Sequence, residues 1–110
     1  MRLYTLDVHV ADEAILVDED ELRAVLHEGA RCAGARTVGE AFHVFPNGAV
    51  TGVLLLAQSH LSIHTWPELA LANVDLLTYG DVDAEAALRL VAQRLGATRS
   101  TVTEIARGRR

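Results

Sequence analysis

The 110-residue chain contains no lysine; all ten of its basic residues are arginines. That excludes a lysine Schiff base, and with it pyridoxal-phosphate chemistry, which holds its cofactor on a lysine. If the protein handles amines through an imine, the carbonyl must come from elsewhere. Cysteine occurs once, as Cys32. An internal disulfide framework is therefore excluded, and a reducing cytoplasm is the expected compartment. No apolar run approaches the ~20 residues of a membrane span. The N-terminus lacks the basic-then-apolar pattern of a signal peptide, so no membrane partner is expected. Positive charge is also short: 15 acidic residues leave a net charge of −5. An acidic chain of this kind does not have nucleic acid as its default partner.

What is present is material for a core. Half of the residues are hydrophobic and 23% are charged, which fits one packed domain over residues 1–110. A chain of this size should bury roughly two-thirds of its unfolded surface.

Leu3 to Val10 alternate, with Leu6, Val8 and Val10 on one face and Thr5, Asp7 and His9 on the other. That predicts a half-buried strand. The acidic stretch from Ala11 to Asp20 reads as a turn, except for Ile15 to Val17. Asp18 precedes Glu21 by three residues, a capping arrangement. Leu22, Val25, Leu26, Ala30 and Ala33 follow at helical spacing, and Gly34 ends a helix over 19–33. Thr37 to Phe45 and the apolar Ala49 to Ala57 read as a hairpin around Pro46-Asn47-Gly48. The second of these looks like a central strand covered on both faces. Ala72 to Tyr79 is a further strand. Asp83 caps a helix whose stripe is Ala87, Leu88, Val91 and Leu95, and Thr98 to Ile105 is a β-branched strand. Arg107 to Arg110 form a short basic tail. The expected fold is α+β: a two-layer sandwich in which two helices cover one face of a mostly antiparallel sheet, in the order β-α-β-β-β-α-β.

One segment resists this bookkeeping: Gln58-Ser59-His60-Leu61-Ser62-Ile63-His64-Thr65-Trp66-Pro67-Glu68. It gathers polar and reactive side chains directly after the most apolar strand, where unpaired polar groups are costly. Three readings compete. It is a polar strand edge and turn, ended by Pro67. Or it is a metal site, with His60 and His64 four residues apart and His9, His27 or His43 adding ligands. That spacing joins two ligands only on a helix, which the flanking residues disfavour, so no metal is expected. Or it supports nucleophilic chemistry through Ser59 and His64.

Residues 51–80, TGVLLLAQSHLSIHTWPELALANVDLLTYG, resemble the bacterial and archaeal S-adenosylmethionine decarboxylases that depend on a pyruvoyl group. The resemblance extends to FHVF at 42–45, GDVD at 80–83 and the terminal ARGR, and so covers nearly the whole chain. It implies a helix-covered antiparallel sheet, a homodimer and a small amino-acid substrate. It also implies self-cleavage into residues 1–58 (β chain) and 59–110 (α chain). In that scheme the Ser59 hydroxyl attacks the Gln58 carbonyl, elimination follows, and a pyruvoyl group is left at position 59. This carbonyl, with neither pyridoxal phosphate nor a metal, would condense with the substrate amine and let carbon dioxide leave. Position by position, the resemblance gives His64 and Thr51 processing roles, Glu68 a ribose contact and Phe45 an adenine stack.

Two departures stand out. Gln58 replaces the family's usual glutamate, but the attacked atom is a main-chain carbonyl. Tyr79 stands where the family's cysteine donates a proton. A phenol is the weaker acid, with a pKa near ~10 against ~8.5 for a thiol. The expected reaction is decarboxylation of S-adenosylmethionine for spermidine synthesis. The alternatives are a pyruvoyl-dependent ornithine or arginine decarboxylase, or an uncleaved domain that binds a ligand or regulates a partner. Strand alternation puts Ser59 and His64 on opposite faces, so cooperation between them requires a turn or bulge.

Overall fold

The computed structural model describes residues 1–108, so the last two residues of the basic tail, Arg109 and Arg110, lie outside the described residues. The elements in chain order are β1 (Arg2–Val10), a 3-10 turn (Glu13–Val17), α1 (Glu19–Cys32), β2 (Thr37–Val44), β3 (Val50–Leu56), β4 (Ser59–Trp66), a 3-10 turn (Pro67–Leu69), β5 (Leu71–Thr78), α2 (Ala84–Arg94) and β6 (Ala97–Ala106). The strands form one sheet in the order β2-β3-β4-β5-β1-β6, with every neighbouring pair antiparallel. The α+β sandwich is as expected, with one strand added. The reactive segment 59–66 is itself β4, inside the sheet, so the order is β-α-β-β-β-β-α-β.

Local chemistry sets the helix ends. Asp18 accepts a hydrogen bond from the Glu21 N–H at 3.1 Å, and Asp83 from the Ala86 N–H at 3.0 Å. Each caps orphan donors of the first turn. α1 stops where Gly34 takes φ +74°, a left-handed conformation that glycine adopts without cost. Arg94 on α2 forms ion pairs with Glu21 and Glu28 on α1, tying the two helices together.

The core lies between the helices and one sheet face. Leu6, Val8, Leu54, Leu61, Ile63, Val74 and Leu76 meet Leu22, Val25, Leu26, Leu88 and Val91, all nearly inaccessible. Phe42 lies so closely over Gly52 that a Cβ there would sit 2.2 Å from its ring. A side chain at that position would have to displace the Phe42 ring. Arg23 of α1 caps the outer face of the same ring at 4.4 Å.

β3 differs from expectation. Leu54 and Leu56 are buried, but Leu55 on the opposite face is 51% exposed. The apolar run fills one layer and leaves the other sheet face open. Cys32 is exposed at the end of α1. Among the described residues no helix is long and apolar enough to cross a membrane.

The buried Thr65 locks β4 to its surroundings. Its hydroxyl accepts from the Val50 N–H at 2.8 Å and donates to the Leu16 carbonyl at 2.7 Å. Thr65→Val keeps the shape and removes both bonds. It should lower stability by about 1–3 kcal/mol, the cost of unpaired buried groups. A urea unfolding midpoint unchanged from the parent chain would refute this.

Candidate active site

β4 pairs with β3 and β5 in unbroken register, from Ser59 opposite Leu56 to His64 opposite Thr51 on one side, and from His60 opposite Leu77 to Trp66 opposite Leu71 on the other. Side chains therefore alternate strictly. Leu61, Ile63 and Thr65 are buried toward the helices. His60, Ser62, His64 and Trp66 project to the open face. The turn or bulge that cooperation between Ser59 and His64 within one chain would require does not occur. They lie on opposite faces and five residues apart, a separation of about 17 Å at strand rise. His60 and His64 share a face but stand about 13 Å apart on a strand, too far to bind one ion.

The site residues form two groups. The first surrounds a cleft of about 210 Å³ at the end of the sheet. Ser59, Gln58 and Tyr79 line it together with Arg36 and Asp81. Ser59 opens β4 immediately after the exposed Ala57–Gln58 turn, and its hydroxyl donates to the Leu77 carbonyl. The Ala57 N–H bonds the Arg36 carbonyl at 2.8 Å, which fixes the turn to the loop behind it. Tyr79 is 55% exposed on the cleft wall.

The second group lies at the far end of the open face. Thr51 Oγ1 and His64 Nδ1 are 2.6 Å apart. This hydrogen bond engages Nδ1; Nε2 can take a proton in the tautomer whose Nδ1–H donates to Thr51. Phe45 and Trp66 flank the imidazole edge-to-face, with ring centroids at 5.7 and 4.3 Å. Phe45 is therefore part of an exposed aromatic row, which His43 extends at 4.7 Å, and is not a core residue. Glu68 follows in the short 3-10 turn and accepts from Asn47 at 3.4 Å.

Sequence reasoning missed two features. Arg36 and Asp81 join the first cleft because the loops after α1 and β5 converge there. Asn73 and Asp7 adjoin the aromatic row because β5 and β1 pair beside β4. The indole of Trp66, a donor only, takes its acceptor from Asn73 on the neighbouring strand.

The family described as S-adenosylmethionine decarboxylase matches residues 2–108. The chain belongs to this family. An S-adenosylmethionine decarboxylase proenzyme from Clostridium tetani is 39% identical over 103 residues, covering 93% of this chain and 82% of that protein. The Pseudomonas paraeruginosa proenzyme is 45% identical over 82 residues, covering 74% of this chain, which spans about half (51%) of that longer relative. The fold agrees with the crystal structure of the Aquifex aeolicus adenosylmethionine decarboxylase at a TM-score of 0.86 and 29% identity, over 98% of this chain and 91% of that one.

Proposed function

We propose that the protein is a proenzyme that cuts its own chain between Gln58 and Ser59 and then decarboxylates S-adenosylmethionine for spermidine synthesis. The observation that carries this reading is the cleft that gathers Gln58, Ser59 and Tyr79 in a chain of this family without lysine.

Cleavage begins when Ser59 Oγ attacks the Gln58 carbonyl carbon. The C–N bond breaks, an ester forms, and the Ser59 amine is freed. Loss of the Cα proton and cleavage of the Cβ–Oγ bond then release residues 1–58 as a carboxylate. The remaining dehydroalanine tautomerises, and water replaces its nitrogen, which leaves as ammonia. The product is a pyruvoyl group at the head of residues 59–110. Ser59 fits this chemistry, because it stands at an exposed turn beside open space that can receive a ketone.

His64 is the base for the Cα proton, with Thr51 fixing its ring. Within one chain it stands about 17 Å from Ser59. We therefore infer a homodimer in which Ser59 of one protomer meets the Thr51–His64 pair of the other. The open sheet face supports this, because it presents Leu55, Phe45 and Trp66 to solvent at 51%, 37% and 39% exposure. Such surface is normally covered by a partner.

A pyruvoyl carbonyl at position 59 supplies the electron sink that lets a bound α-amino acid lose its carboxylate as carbon dioxide. From the other protomer, together with its Thr51–His64 pair, Phe45 stacks on the adenine and Glu68 binds the ribose. Tyr79 returns a proton to the α-carbon. Tyr79→Phe should therefore process normally but turn over ~10²–10⁴-fold more slowly, the usual range for a lost general acid. A loss below tenfold would make Tyr79 a pocket wall. The exposed thiol of Cys32 fits a cytoplasmic enzyme.

The substrate is tested by carbon dioxide release from carboxyl-labelled S-adenosylmethionine, ornithine and arginine. Release from the first supports the reading. Release from ornithine or arginine alone would overturn it and assign the protein to those amines, with the bulkier Tyr79 as the physical reason.

A further inference from the structure

Trp66 is the one tryptophan of the chain. Its indole N–H donates to Asn73 Oδ1, one strand away, at 2.6 Å. Asn73 in turn donates through Nδ2 to Asp7 Oδ1, one strand further, at 2.7 Å. The two bonds use opposite ends of one amide. Flipped, that amide would present a donor to the indole N–H and an acceptor to the carboxylate, so a single orientation works. Asp7 and Asn73 are directly opposite in the β1–β5 ladder, which sets the Asn73–Asp7 bond by register.

In the single protomer Trp66 is 39% exposed, and water can reach its N–H there. The bond to Asn73 therefore contributes little net stability. Its effect is to select one rotamer of a large ring. The selected indole stands 4.3 Å from the His64 ring at 63°. Thr51 holds one nitrogen of that imidazole, and Trp66 is its closest aromatic wall.

We propose that Asn73, held by Asp7, is a positioning residue for the processing pair: it fixes Trp66, which fixes the His64 ring against Thr51. The proposal rests on the processing role given to His64 above. None of the three residues touches the scissile bond of its own chain, so their influence acts through the histidine.

The test uses the full-length proenzyme, with cleavage followed by mass spectrometry from the moment of synthesis. Near-ultraviolet circular dichroism of Trp66 serves as the second readout. Asn73→Leu should weaken the tryptophan band and slow cleavage about tenfold, equivalent to ~1.4 kcal/mol of barrier. Asn73→Asp alone should also be slow, because it places a second carboxylate opposite Asp7. Combining Asn73→Asp with Asp7→Asn keeps the indole N–H donating to position 73 and restores the bond between positions 7 and 73 with its direction reversed. It should recover the band and the rate, which a general loss of packing would not do.

Cleavage of Asn73→Leu at the parent rate would overturn the proposal, as would an exchanged pair that stays slow. A parent chain that never cuts itself would instead remove the reading of His64. In that case an unchanged tryptophan band in Asn73→Leu would still refute the anchoring.

Discussion

Ser59→Ala is expected to remain one chain of full length, with no measurable decarboxylase activity. The parent chain should appear as pieces of 58 and 52 residues, since 110 − 58 = 52. The effect is all-or-none because the hydroxyl has two duties. Its oxygen is the nucleophile that opens the Gln58–Ser59 bond, and its Cβ–Oγ bond is the one broken in the elimination. Alanine offers neither. The fold should survive, because the Ser59 side chain contributes only one hydrogen bond, to the Leu77 carbonyl, at the first residue of β4. The checks are intact mass and carbon dioxide release. Cleavage of Ser59→Ala at the same bond would show that another group opens the chain.

Coexpression of a Ser59→Ala chain with a His64→Ala chain should cut the His64→Ala chain, although neither cuts fully alone. In a mixed dimer, the intact Ser59 of one protomer meets the intact His64 of the other. Cleavage within a single chain would leave both partners uncut, since each lacks one of the two groups. Random pairing puts roughly half of the dimers in the mixed state, so the cut fraction should be large. Alone, His64→Ala should stay whole or stall at the ester, which hydroxylamine would cleave. Full cleavage of His64→Ala alone at the parent rate would remove the histidine from the mechanism. No rescue in verified mixed dimers would refute the arrangement across two protomers.

Much of the fold was legible because local rules and global packing agree. Leu6, Val8 and Val10 alternate in the sequence and are buried together. Asp18 and Asp83 cap the helices they precede. The strand over 59–66 was hidden because its open face carries serine, two histidines and tryptophan, which read as a polar edge. Its inward residues, Leu61, Ile63 and Thr65, already carried the period of a strand. The exposure of Leu55 could not be read, because a continuous apolar run looks the same whether its second face meets helices or a second protomer. The link from Asp7 through Asn73 to Trp66 joins residues up to 66 positions apart, and only strand order brings them together. Sequence spacing could place Ser59 and His64 on opposite faces of a strand. It could not show that the ladder between them is unbroken.

The central claim, self-cleavage that leaves a ketone, is tested most directly by the intact mass of the purified parent protein before and after reaction with a hydrazine. Two chains divided between Gln58 and Ser59 are expected, with the hydrazone mass shift on the chain that begins at position 59. One chain of 11.9 kDa that takes up no hydrazine would contradict it.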